Sequence, residues 1–168
     1  MRKYIVSVLL LVCIAVTACA HTKKTTRKKA PKSTKGVQIT AVTMTRGACY
    51  GRCPIYTVKI TADGMVEYDG KRFTKQDGLY RKQFSPARTA ELFRQFETYG
   101  VDTCQAIYDL TISDLPGLSY IFIVNGKEQR IGNAHFGPEF LKVLAQSVDE
   151  LATVDKSWKK IRDKAPDQ

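Results

Sequence analysis

The segment from Cys49 to Gly70, CYGRCPIYTVKITADGMVEYDG, decides the fold. Tyr56, Val58 and Ile60 alternate with Thr57, Lys59 and Thr61, the period of two expected of a strand that buries one face. Asp63-Gly64 is a hairpin signal, because the glycine takes a positive φ without steric cost. The chain then returns through Val66 and Tyr68 to Gly70.

Working outward, Val37, Ile39, Ala41 and Thr43 mark one face of a preceding strand that ends near Arg46, and a short strand is expected from Leu79 to Phe84. Ser85-Pro86 opens a helix, the hydroxyl offered to free amides and the proline needing no donor in the first turn. Leu92, Phe93, Phe96 and Tyr99 form its stripe, and Gly100 stops it. Residues 101–117 show no period and read as loop. LSYIFIVNGKEQRIG, Leu118 to Gly132, is a second hairpin about a type I′ Asn125-Gly126 turn. A second helix opens near Pro138 and carries Phe140, Leu141, Leu144, Val148 and Leu151; residues 156–168 trail away as a tail, with Trp158 and Ile161 able to pin its first turn. The predicted fold class is α+β, an antiparallel sheet of five to six strands with two helices packed on one face. One domain over residues 37–155 accommodates it.

The chain has 168 residues, 43% of them hydrophobic and 10% aromatic, which is enough for one real core. A formal net charge of +11 suggests nucleic acid until its placement is considered. Residues 19–36 hold Lys23, Lys24, Arg27, Lys28, Lys29, Lys32 and Lys35 and no acid, whereas from residue 37 onward 18 bases face 16 acids. The domain is close to neutral, so nucleic acid is not an expected partner.

MRKYIVSVLLLVCIAVTACA begins with two bases, continues in an apolar run from Tyr4 to Val16 and ends in small residues before Cys19, the layout of a signal peptide over residues 1–18. The run falls short of the ~20 apolar residues of a permanent span. Val16-Thr17-Ala18-Cys19 resembles the lipobox of bacterial lipoproteins, which implies cleavage before Cys19 and acylation of its thiol, with palmitate among the chains. Acyl chains worth ~0.8 kcal/mol per buried methylene make such an anchor effectively permanent. Ala20 in place of an acid points, by analogy with lipoprotein sorting, to the outer membrane facing the periplasm. Residues 19–36 contain no large apolar side chain and read as a basic flexible linker. Its expected partners are anionic lipids, at ~1 kcal/mol per base near a charged membrane, or acidic wall polymers.

Removal of the signal takes away Cys13 and acylation consumes Cys19, leaving Cys49, Cys53 and Cys104, and so one bridge at most. Extended chain from Cys49 to Cys53 would span ~13 Å, whereas bridged cysteines need Cα atoms about 4.4 to 6.8 Å apart. The chain must turn, and Tyr50-Gly51 suits a type II turn. A bridge there favours the fold by about 2 kcal/mol; a bridge to Cys104, or free thiols, are the alternatives. Cys-x3-Cys-Pro also resembles the copper motif of Sco-type assembly factors, which need a distant histidine such as His135. That motif opens a helix, however, while Pro54 precedes a strand, and a helix N-terminus is what lowers a thiol pKa for catalysis. His135 reads as a loop histidine capping the following helix.

No nucleophile elbow, zinc-protease helix or phosphate loop is present. No catalytic residue, metal or cofactor is therefore expected. Arg46, Tyr50 and Arg52 are the candidate contact residues: two guanidiniums and an aromatic ring on a stapled tip suit acidic or carbohydrate ligands.

Arg46-Gly-Ala-Cys49-Tyr-Gly-Arg-Cys53-Pro-Ile-Tyr56, followed by Asp63-Gly64-Met-Val66-Glu-Tyr68-Asp-Gly70, resembles the signature of an uncharacterised family of bacterial envelope proteins classed as a domain of unknown function. The likeness covers about residues 37–155 and implies a compact domain with Cys49 and Cys53 as a paired family feature. Cys104 lies outside the motif, and no activity comes with the resemblance. The expectation is a lipid-anchored envelope protein with a non-catalytic binding or structural module of unknown ligand and unknown protein partner. The alternative is a thiol-redox or copper-handling factor.

Overall fold

The computed structural model describes residues 36–110 and 114–164. The expected signal segment, Cys19 and the linker up to residue 35 lie outside the described residues. Seven strands form one antiparallel sheet: β1 (Ile39–Arg46), β2 (Ile55–Thr61), β3 (Met65–Arg72), β4 (Gly78–Gln83), β5 (Leu118–Val124), β6 (Lys127–Ile131) and β7 (Lys159–Arg162). Their order across the sheet is β6-β5-β1-β2-β3-β4-β7. Among the described residues two α-helices, α1 (Pro86–Tyr99) and α2 (Phe140–Leu151), accompany the sheet in an α+β fold.

The alternation of Tyr56, Val58 and Ile60 builds β2, with Val58 and Ile60 fully buried, and Asp63-Gly64 turns it into β3. At the second hairpin Asn125 and Gly126 take φ of 50° and 75°, the two positive values that a type I′ turn requires. Phe96 of α1 packs edge-on against Tyr120 and Phe122 of β5, while the Tyr120 hydroxyl donates to the Leu141 carbonyl of α2 at 2.7 Å. Both helices thus cover the same sheet face, burying Val42, Met44, Ile60, Val66, Leu92, Leu144 and Val148 between them and the strands.

Five expectations are corrected. The sheet has seven strands rather than five or six, because the expected tail returns as β7 along β4, led by Trp158, which is buried edge-on against Phe84. In β1, the buried face does not follow Ile39, Ala41 and Thr43. A bulge between Ile39 and Ala41 shifts the register against β5, so the core takes Ile39, then Val42 and Met44. Neither Ser85 at the start of α1 nor His135, in the 3-10 turn Ala134–Phe136 before α2, supplies a side-chain cap. The loop after α1 contains a 3-10 turn, Val101–Thr103, and a bridge from Ile107 to Gly132.

Both outer strands carry charge, Lys127, Glu128 and Arg130 on β6 and Lys159, Lys160 and Arg162 on β7, which discourages edge-to-edge pairing. Among the described residues no helix is long and apolar enough to cross a membrane.

Candidate functional site

Because the bulge flips the parity of β1, Arg46 at its end faces the helices. Its cross-strand partner is Tyr56, and the two side chains grip one carboxylate: Arg46 Nη2 lies 2.6 Å from Asp149 Oδ2, and the Tyr56 hydroxyl donates to Asp149 Oδ1 at 2.6 Å. Asp149 lies near the C-terminus of α2, where the helix dipole disfavours an acid, and the guanidinium offsets that cost. Burial, and after it the bonded carboxylate, raises the Tyr56 hydroxyl far above the ordinary phenol range, so Tyr56 stays protonated. Burial opposes the charge on Arg46, but bonding to Asp149 outweighs it and raises its pKa.

Tyr56 and Asp149 of this clamp line a cleft of about 440 Å³. Tyr68, its ring centroid 5.3 Å from that of Tyr56, and Pro54, directly after Cys53, also line it. The β3–β4 loop contributes Phe73, Thr74, Lys75 and Gln76 to the lining, and the segment after α2 contributes Ala152 to Val154. The loop can fold over the sheet because residue 70 is a glycine: a Cβ there would stand 2.0 Å from the Gln76 carbonyl oxygen. Burial also raises the Tyr68 hydroxyl, against a hydrogen bond with Thr74 that lowers it.

At the rim Phe73 has φ 56°, a left-handed conformation that a bulky L-residue adopts at a cost of roughly 1–2 kcal/mol. It is 40% exposed, and the guanidinium carbons of Arg52 and Arg72 lie 5.3 and 4.9 Å from its ring centroid. A register shift between Ile55 and Tyr56 leaves Lys71 as an extra residue in β3 directly before this group.

Cys49 and Cys53 are bonded, with Cα atoms 5.8 Å apart. The turn between them is not the hydrogen-bonded type II form: Gly51 has φ 144° and its amide donates to the Cys49 carbonyl at 2.9 Å, closing a smaller ring. The pair precedes strand β2, and Cys104 is a free, half-buried thiol whose pKa burial raises. Of the three predicted contact residues, Tyr50 stands 91% exposed on the stapled loop, Arg52 reaches the cleft rim, and Arg46 turns inward to Asp149. The three do not form one tip. Burial first, and then nearby Lys142 and Arg46, lower the His135 pKa, and its Nδ1 is buried without a hydrogen-bond partner among the described residues. Among those residues no three His, Cys, Asp or Glu side chains gather as a metal cluster.

Sequence reasoning missed Asp149 and the β3–β4 loop. Asp149 reads as one more acid on a polar helix face, and its partner is 103 residues away. Gly70 was the available signal for the loop, since a glycine inside a strand marks close backbone approach.

No curated protein and no solved structure matches the chain. A family model, described as a domain of unknown function (DUF6438), matches residues 40–152 and so spans β1 to the end of α2, including every side chain of the Asp149 clamp. The chain therefore belongs to the DUF6438 family.

Proposed function

We propose that the protein is a lipid-anchored cell-envelope protein, held at the outer membrane through acylated Cys19, and that its domain is a non-catalytic module that binds a ligand in the cleft over Asp149. The observation that carries the binding role is the cleft itself, aromatic on its walls and lined by a few convergent polar groups, the usual constitution of a ligand site. The groups best suited to chemistry are committed to holding its shape. Both oxygens of Asp149 are engaged, Tyr56 keeps its proton, and the sulfurs of Cys49 and Cys53 are bonded to each other.

The anchor rests on the lipobox resemblance and on the basic linker that follows it. Growth of cells with a clickable palmitate analogue should label the wild-type protein and leave Cys19→Ala unlabelled. Hydrogen exchange of the purified protein with glycan and peptide fragments released from bacterial wall should slow at residues 55–56, 73–76 and 152–154. Labelling that survives Cys19→Ala overturns the anchor, and unchanged exchange in all three segments overturns the binding role.

A further inference from the structure

Among the described residues, Arg52, Arg72 and Lys75 at the cleft mouth form no ion pair, whereas the acids around them are taken. Asp149, in the cleft, is held by Arg46 and Tyr56, and Asp77, at the end of the β3–β4 loop, accepts from Thr74. Two guanidiniums stand against one phenyl ring, and an anion received by both would neutralise charge that no described acid neutralises. The ring that carries them is the one held in a left-handed backbone conformation.

We propose, resting on the reading of the cleft as a binding site, that its ligand is an acidic carbohydrate. A sugar ring enters the cleft beside Phe73, its carboxylate is received by Arg52 and Arg72, and its hydroxyls meet Thr74, Lys75 and Gln76. A guanidinium presents a planar fork that matches a carboxylate, and amide and hydroxyl side chains serve as both donors and acceptors to sugar hydroxyls. An acidic peptide fits less well. Strand addition needs a free sheet edge, and β2 and β3 at the cleft are each paired on both sides, leaving β6 and β7 as the edges. A membrane surface also fits less well. The tether enters at the Ile39 end of β1, where the Gln38 amide bonds Asn125 Oδ1, whereas the cleft lies at the Arg46 end of the same strand.

The test is calorimetric titration of the acylated protein in detergent with three probes: hexagalacturonate, the neutral cellohexaose, and hexaglutamate. Hexagalacturonate should bind saturably, more weakly as salt rises, and at least tenfold more tightly than either other probe. Arg52→Gln and Arg72→Gln should each weaken it severalfold. Phe73→Asn, which places a residue tolerant of positive φ there, should weaken it at least tenfold with an unchanged or higher melting temperature. No binding of hexagalacturonate, equal binding of cellohexaose or hexaglutamate, or indifference to these substitutions overturns the proposal. If wall fragments still slow exchange at the cleft in that case, the ligand class falls and the binding module stands; if they do not, both fall.

Discussion

Arg46 Nη2 lies 2.6 Å from Asp149 Oδ2 and fastens the end of β1 to the last turns of α2 across 103 residues of sequence. Solvent reaches both side chains, 20% and 30% exposed, so the pair contributes less than a fully buried one. Asp149→Ala removes the acceptor of two hydrogen bonds and leaves a half-buried guanidinium unpaired. It should cost about 2 kcal/mol, and Tyr56→Phe about 1 kcal/mol. Urea unfolding midpoints check both, and a loss under about 0.5 kcal/mol for Asp149→Ala contradicts the clamp.

Alkaline pH should destabilise the domain through Tyr56 and Tyr120. Burial is the first cause of the raised pKa of each, and the bonded Asp149 carboxylate adds to it for Tyr56. An unfolded tyrosine ionises near pH ~10, so above that the folded state holds more protons than the unfolded state. The contribution is complete below pH ~10 and is lost as pH climbs toward the higher folded values. Urea midpoints from pH 8 to 11 should fall at the alkaline end, less steeply in Tyr56→Phe; tyrosinate absorbance should show these two phenols ionising only on unfolding.

Trp158 is the single tryptophan and is 7% exposed, against Phe84 at the start of β7. Its emission should be blue-shifted in the native protein and move to the red on unfolding. Trp158→Ala should destabilise by about 3 kcal/mol, and deletion of residues 156–168 by at least as much. A wild-type melting temperature in the deletion would contradict β7 as part of the sheet.

Regular alternation and turn chemistry made most of this fold legible in advance. Val58 and Ile60 against Lys59, the Asn125-Gly126 turn and the stripe Leu141, Leu144, Val148 each match a single local structure. What escaped depended on events without local periodicity. The bulge after Ile39 inverts which β1 residues face the core, and with it the direction of Arg46. The segment KKIR of β7 is exposed at every position and is held by its backbone pairing and by the Arg162–Asp69 ion pair, so no hydrophobic pattern marks it. The site suffered most: Arg52, Phe73 and Asp149 come from three separated segments, and only the assembled fold brings them to one cleft and its rim.

From Val37 onward, alkylation of the denatured chain should label one thiol, Cys104, without reductant and three after reduction. Cys49→Ser with Cys53→Ser should lower stability by about 2 kcal/mol, the chain-entropy value for so short a loop. Three thiols before reduction, together with tight Cu(I) binding, would contradict the staple and favour a copper-handling role.

Where the ligand sits is the central matter, and aromatic side-chain NMR reports it most directly. On titration with hexagalacturonate, the ring signals of Tyr56, Tyr68 and Phe73 should shift saturably while those of Phe96 and Phe122, in the core between α1 and β5, stay in place. Silent cleft rings, or shifts confined to residues away from it, would contradict the account.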